Sequence, residues 1–233
     1  MPSILDDKLL SARLTEQPEF HVRLVEFLQS YGVIERAALI IQARPALGNA
    51  FTGVNIDDAD VQKRFLAGVP TNNGWWQGFR SMVAARPTFH GVASLPTREN
   101  PVWASELHRD GHFIAGIWKF PEFTVQSTPA EVIADFYADI FMDFLRLVES
   151  TLGQRDEQPT YQTTWTLTQA PRLHYGSKSM WGQFTVTATP LQISNLQWPI
   201  SSAKVGTPEW KQLATRMGQC LTGAYGDEPR SAH

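Results

Sequence analysis

The stretch Pro101–Phe120, "PVWASELHRDGHFIAGIWKF", contains the strongest hairpin signal in the chain. Asp110 and Gly111 are typical of a two-residue turn, because both residues tolerate a positive φ. We predict that this turn brings Arg109 opposite His112. One face of a sheet that covers a core would then carry the large apolar residues Trp103, Leu107, Ile114 and Trp118.

Helices are predicted on both sides of this hairpin from apolar residues at helical spacing. The long central helix is expected to begin with a capping box of Thr128 and Glu131 and to end at Gly153. The final helix is expected to begin at Thr207 and Pro208. The predicted helices cover residues 18–32, 57–68, 127–153 and 207–226.

Strands and helices follow one another in an order that favours an α+β fold. Two strands precede the long helix, and "YQTTWTLTQ" (161–169) and "MWGQFTVTA" (180–188) precede the last one. Because hairpins outnumber strand–helix–strand units, we expect an antiparallel sheet with the helices on one face. The chain, residues 1–233, is interpreted as a single domain, with two hairpin-plus-helix halves that meet near 153–160.

Composition restricts the class of function. The formal net charge of −3 gives no overall drive toward nucleic acid, although a local basic patch stays open. One cysteine, Cys220, excludes an internal disulfide framework and a multi-cysteine zinc site. The start of the chain is acidic where a signal peptide would be basic, and no stretch has the length of a transmembrane helix. We therefore expect a cytoplasmic protein with no membrane partner.

Short motifs in the chain do not assign a reaction. In the predicted register His108 and His112 lie on opposite faces, so we expect a polar hairpin tip here and no metal site. "SSAK" (201–204) has the serine–lysine spacing of penicillin-binding enzymes, but it is predicted to lie in a loop rather than on a helix. No phosphate-binding loop, dinucleotide fingerprint or nucleophile elbow is present in the sequence. We therefore predict no catalytic residue and no cofactor.

Acidic residues recur every fourth position along the long helix. Asp135, Asp139 and Asp143 continue a series that starts at Glu131, and they form a ridge opposite the apolar face. Such a ridge is a candidate surface for a basic partner. The alternative is a solvated face whose charge is eased by Arg146 and by the helix dipole.

Two aromatic loops are further candidates for contact with a partner. In "TNNGWWQGFR" (71–80), Trp75 and Trp76 follow a turn signal and point opposite ways in an extended chain. One indole near Arg80 would be available for stacking, whereas the alternative is a loop pinned to the core. The loop "APRLHYGSKS" is a second candidate surface, or a plain connection, and it contributes Arg172, His174 and Tyr175.

The layout resembles the region that follows the AlbA/Schlafen-type DNA- or ATP-binding domain in bacterial proteins. The stretches that suggest this are "RPTFHGV" (86–92), "WASELHRDGHF" (103–113), the long helix and "LATRMGQCLTGAYG" (213–226). The glycine-rich nucleotide-binding segment of that family is not in this chain, so no catalytic residue carries over. The resemblance implies an accessory sensing or interaction module of a bacterial protein.

Three functions remain open from the sequence. The first is an accessory module that acts by sensing or by protein–protein interaction, including self-association. The second is a hydrolase whose site is assembled from scattered residues, with His90, His174 and neighbouring serines or carboxylates as candidates. The third is a ligand-binding protein whose pocket is lined by aromatic side chains, since the chain is rich in tryptophan.

Overall fold

The computed structural model of the protein has an α+β fold, so the predicted fold class is confirmed. The helices in the described part of the chain are α1 (Pro18–Ser30), α2 (Ala59–Ala67), α3 (Ala134–Leu152) and α4 (Pro208–Ala224). The structure describes residues 18–46, 53–69, 76, 78–81, 83–97, 99, 101–119, 123–125, 128–130, 132–169, 175–178, 184–187 and 195–224.

The strands form one large antiparallel sheet and two small ones. They are β1 (Ala38–Pro45), β2 (Arg86–Pro87), β3 (Gly91–Ser94), β4 (Trp103–His108), β5 (Phe113–Ile117), β6 (Phe123–Val125), β7 (Thr128–Ala130), β8 (Val132–Ile133), β9 (Thr160–Thr168), β10 (Tyr175–Lys178), β11 (Phe184–Thr187), β12 (Asn195–Gln197) and β13 (Ser201–Lys204). The large sheet has the order β12–β9–β1–β5–β4–β3–β2, and β13 also pairs with β9. The small sheets are β11–β10–β8 and β6–β7.

Strand β9 lies in the interior of the large sheet, next to β1. Its pairing with β1 runs without interruption from Ala38 opposite Thr168 to Pro45 opposite Tyr161. The sheet therefore contains strands from both sides of the junction near 153–160, and that junction does not divide it. The likeness of the two halves stays a prediction.

The two faces of the large sheet pack against different helices. Residues of α2, α3 and α4 join one face in the main cluster, which includes Leu39, Ile41, Phe65, Phe144 and Trp210. Helix α1 covers the opposite face in the α1 cluster, which includes Leu24, Phe27, Leu28, Ile40 and Ile114. Alternate residues of β1 enter the two clusters, as the two-residue period of a strand requires. The expected one-sided packing thus describes α2–α4, and α1 adds a layer on the other side.

The central hairpin is present, but its turn has three residues instead of two. Gly111 N donates to His108 O at 3.0 Å, and His108 N donates to His112 O at 2.9 Å. Gly111 has φ of 81°, which is the left-handed conformation that ends a three-residue hairpin loop. His108 therefore stands opposite His112, and the predicted register is wrong by one residue.

This change in register moves side chains from one face of the sheet to the other. Leu107 pairs with Phe113 and Trp103 pairs with Ile117, and all four residues lie in the main cluster. The prediction that Ile114 and Trp118 share the face of Trp103 is therefore wrong. The hairpin residues in the α1 cluster are Ala104, Ile114 and Trp118.

Two other predictions of local structure are corrected. Helix α3 begins at Ala134, because residues 128–130 and 132–133 are strands, so the capping box at Thr128 is wrong. The "SSAK" stretch is strand β13 on the edge of β9 and not a loop. Helix α4 begins as predicted, since Trp210 N donates to Thr207 Oγ1 at 3.4 Å.

Candidate functional site

Three histidine rings form a row on the face of the sheet that α1 covers. The rings of His90 and His108 have centroids 5.1 Å apart, and those of His108 and His112 are 5.6 Å apart. His108 and His112 share this face because they stand opposite each other in adjacent antiparallel strands. We call these three residues the histidine row.

Two carboxylates contact the histidine row, one from β4 (Glu106) and one from α1 (Glu26). A hydrogen bond of 2.8 Å joins His108 Nε2 to Glu106 Oε2, two residues away on the same strand. Tyr31 donates its hydroxyl to Glu106 Oε1 at 2.9 Å, and burial is the main reason why the pKa of Tyr31 is raised. Glu26 Oε2 lies 3.0 Å from His90 Nε2. These contacts connect α1 and its C-terminal end to β4 and to the turn between β2 and β3.

The predicted separation of His108 and His112, which was the reason to expect no metal site at this hairpin, is wrong. His108 and His112 lie on one face, whereas the predicted register separated them. Within the described ranges, however, no group of three or more His, Cys, Asp or Glu side chains is placed to hold a metal ion.

His112 is buried in the row, with 3% of its surface exposed. Its ring packs edge-on against Phe20, with centroids 5.5 Å apart. Its Nε2 atom has no hydrogen-bond partner in the described part of the chain. Burial first, and then the nearby His108, Arg23, Arg44 and His90, lower the pKa of His112 well below its ordinary value. His112 is consequently a neutral imidazole at physiological pH.

A cavity of about 470 Å³ opens beside His112. It lies where the first turns of α1 meet the end of β1 and the β4–β5 turn. We call it the His112 pocket, and its lining residues are Pro18, Glu19, Val22, Arg23, Arg44, Pro45, Asp110 and His112.

The charged groups of the His112 pocket are already paired with one another. Arg23 forms an ion pair with Asp110 at 3.5 Å. Arg44 pairs with Glu19, and its Nε and Nη2 atoms donate to Gln162 Oε1 at 3.2 and 3.1 Å. Two arginines and two carboxylates line the pocket, so its formal charge is balanced.

The structure places Trp76 and Asp143, two of the predicted contact residues, in the interior and joins them. Trp76 is buried, and its indole Nε1 donates to Asp143 Oδ2 at 3.0 Å. Asp143 is 4% exposed, and burial is the main cause that raises its pKa to about 6. Trp76 is therefore the member of the tryptophan pair that packs inward, while Trp75 lies outside the described residues, and the prediction of an acidic ridge that reaches Asp143 is wrong.

The remaining predicted contact residues are dispersed. Asp139 is exposed on α3, while Asp135 lies in its first turn with a side chain outside the description. Arg80 is exposed and lines a wide, open groove of about 640 Å³ together with Lys63. The structure does not describe Trp75, Arg172 and His174, and it describes the backbone of Tyr175 but not its side chain.

Phe89 is a surface feature that the sequence did not single out. It is 92% exposed, and Val22 at 51% is the other large hydrophobic residue exposed among those described. Phe89 stands at the turn between β2 and β3, beside His90 of the histidine row. In sequence it is one phenylalanine among thirteen, and no local pattern marks it as a surface residue.

Comparison with known proteins gives no match to a family model, a curated protein or a solved structure. No helix in the described segments has the length and apolar character to cross a membrane.

Proposed function

We propose that this chain is an accessory sensing module that binds a small molecule in the His112 pocket. One observation carries the proposal: a cavity of about 470 Å³ is lined by a buried, neutral imidazole, two arginines and apolar side chains. A cavity of this size with a few polar groups among apolar ones is the usual form of a small-molecule site.

Binding fits the neighbourhood of the histidines better than hydrolysis does. A hydrolase with a serine nucleophile needs the serine hydroxyl within hydrogen-bonding distance of a histidine. His90 and His108 instead contact the carboxylates of Glu26 and Glu106. Ser105, although it is a neighbour of Glu106 in sequence, points to the other face of the strand. The resemblance to the region after the AlbA/Schlafen-type domain also supports an accessory role.

The pocket can be tested with a panel of small organic fragments and a pair of arginine variants. Val22→Arg places a long cationic side chain at the pocket mouth, whereas Gln29→Arg adds the same charge at an exposed position of α1 outside the pocket lining. We expect at least one fragment to raise the Tm of the wild type and of Gln29→Arg but not that of Val22→Arg. Equal responses of the two variants to every fragment would refute the proposal.

Phe89 supports a second proposed activity, contact with a protein partner or with a second copy of the chain. Its turn is ordered, because Thr88 N donates to Gly91 O at 2.9 Å and Gly91 N donates to Thr88 Oγ1 at 3.0 Å. The Phe89 ring contacts the His90 ring at a centroid distance of 4.8 Å. Aromatic side chains, phenylalanine among them, are enriched at interfaces between proteins.

We expect Phe89→Ser to weaken such an interface without lowering the free energy of unfolding, because the side chain is 92% exposed. Sedimentation of the purified chain and affinity capture from native lysate would measure the interface, and urea unfolding would measure stability. Val22→Ser is the matched control at the other exposed hydrophobic residue. Identical self-association and identical captured proteins for wild type and Phe89→Ser would contradict this proposal.

A further inference from the structure

Helix α1 contacts the histidine row at both ends of the row. Phe20, in the first turn of α1, packs against His112. Glu26, two turns later, lies 3.0 Å from His90. We propose that α1 is an acid-released cover: as the pH falls from about 7 to about 5, α1 leaves the sheet while the rest of the fold stays in place. This release needs no ligand in the His112 pocket, so it goes beyond the proposed sensing function.

His112 lies at the contact between α1 and the large sheet. Its side chain is 3% exposed, and the Phe20 ring packs edge-on against it from α1. Because Phe20 belongs to α1, release of the helix uncovers the imidazole to water. We call the two arrangements the closed state, with α1 on the sheet, and the open state, with α1 released. The protonation of His112 is therefore linked to the position of α1.

The closed state has no place for a charged imidazole at this position. Both nitrogens of an imidazolium carry a hydrogen and must donate it. Nε2 of His112 is buried and has no hydrogen-bond partner in the described part of the chain. A proton on the ring would therefore leave a buried, charged donor without an acceptor, which is unfavourable. In the open state water solvates the same charge.

The groups around His112 add to this effect. The titratable and charged residues that face it or its immediate neighbours are Glu19 and Arg23 of α1, Arg44 of β1, His90 before β3, Glu106 and His108 of β4, Asp110 in the hairpin turn and Tyr161 of β9. The carboxylates have other partners: Glu19 pairs with Arg44, Asp110 with Arg23, and Glu106 with His108. Burial first, and then His108, Arg23, Arg44 and His90, lower the pKa of closed-state His112 well below 6.5.

The direction of the linkage follows from this lowered pKa. Well above pH 6.5, His112 is neutral in both states and does not affect their ratio. As the pH falls below that value, the open state takes up a proton before the closed state does. Between about pH 7 and about pH 5, the ratio of open to closed molecules rises about 20-fold through His112. His21 of α1 acts in the same direction, because burial lowers its pKa as well.

Only α1 depends on the face of the sheet that carries His112. Among the described helices, α1 alone contributes to the α1 cluster, through Leu24, Phe27 and Leu28. Helices α2, α3 and α4 pack on the opposite face in the main cluster. Release of α1 therefore leaves the packing of α2–α4 on the sheet in place, and the opening is expected to be local.

Hydrogen exchange of backbone amides between about pH 5 and pH 7 tests the proposal, because histidine is the side chain that ordinarily titrates in this range. The α1 amides of Leu24, Phe27 and Leu28 are compared with those of Phe144 and Leu147 in α3. After correction for the exchange rate of unstructured amides, protection of the α1 amides should fall at least about 20-fold from pH 7 to pH 5. The α3 amides should not follow. An equal fall in α3 would overturn the local release.

Two variants assign the effect to His112. His112→Phe keeps an aromatic ring beside Phe20 but cannot take up a proton, so its fall in α1 protection should be about 20-fold smaller than that of the wild type. His90→Gln is the control, because glutamine can still donate to Glu26 and should retain the wild-type fall. Equal pH dependence in His112→Phe and the wild type, or its loss in His90→Gln, would overturn the proposal.

The wild type supplies a test that does not depend on the folding of His112→Phe. In protein labelled with ¹⁵N at histidine, the ring nitrogens of His112 should show protonation only in molecules whose α1 amides have lost protection. Protonation of His112 near pH 6.5 while α1 stays protected would show that the closed state accepts the charge, and the proposal would be wrong.

Discussion

Gly91→Ala is expected to lower the free energy of unfolding by about 3 kcal/mol, the upper part of the usual range for overpacking. A Cβ atom at this position would lie 2.0 Å from Leu107 O and 2.9 Å from His108 Cα. Both are backbone atoms of β4, which pairs with β3 at this point, so neither can rotate out of the way. The strands must separate, and His108 moves with its strand.

Urea unfolding measures this effect, with Gly223→Ala as the matched control. Gly223 lies in α4, and a Cβ there meets no atom within 4 Å. The control should therefore be neutral or stabilising by up to about 1 kcal/mol, since alanine favours the helix. The ring nitrogen resonances of His90 and His108 should shift in Gly91→Ala alone. Similar stability of the two variants would show that β3 and β4 do not approach as described.

Asp143→Asn is expected to raise the free energy of unfolding at neutral pH by about 2 kcal/mol. Burial raises the folded-state pKa of Asp143 to about 6 from an ordinary value of 3.8. A difference of about two pKa units means that the ionised carboxylate destabilises the folded state by roughly 3 kcal/mol. Asparagine removes this cost, but it also removes the 3.5 Å ion pair with half-exposed Arg146, so the net gain in stability is smaller. Asparagine resembles the protonated carboxyl and can still accept from Trp76.

The pH dependence has a definite sign. Well below pH 4 the Asp143 carboxyl is protonated in both the folded and the unfolded state, so it does not change the free energy of unfolding. As the pH rises from about 4 to about 6, the unfolded state ionises first, so the wild type loses stability through this group. Above about pH 6 the carboxyl ionises in both states, so the stability lost through this group no longer changes with pH. The advantage of Asp143→Asn should accordingly be small near pH 4 and complete near pH 7.

Asp139→Asn is the control for net charge, because Asp139 is exposed on the same helix one turn earlier. Urea unfolding of both variants between about pH 4 and pH 7.5 makes the comparison, and we expect Asp139→Asn to follow the wild type within about 0.5 kcal/mol. A wild type that is more stable than Asp143→Asn at neutral pH would contradict the raised pKa and indicate that the ion pair with Arg146 dominates.

The sequence predicted those features of the helices that depend on residues close to one another in the chain. Thr207 caps α4 because a cap needs only a side chain three residues before the amide that it accepts from. The same kind of signal failed at Thr128, where residues 128–130 form a strand that pairs with 123–125. A capping pattern is a weak local preference, and strand pairing overrides it.

The candidate site was not predictable in the same way. The sequence drew attention to Trp76, Asp143 and the "HRDGH" hairpin, and the first two are buried partners of each other. The His112 pocket takes Arg23 from α1, Arg44 from β1 and His112 from the position just before β5. No spacing connects these residues, because they meet only when the helix closes over the sheet.

The sequence by itself determined that this protein forms a central hairpin, an amphipathic α3 and a capped α4, because turns and helices depend on neighbours a few residues apart. Only the tertiary structure decided the register of that hairpin and the position of β9 beside β1. Packing on both faces of the sheet selects a three-residue turn over a two-residue one. The resulting one-residue shift in register puts His108 and His112 side by side. A one-residue shift exchanges the two faces of a strand, so the side chains that meet at the pocket depend on the packing of the whole sheet.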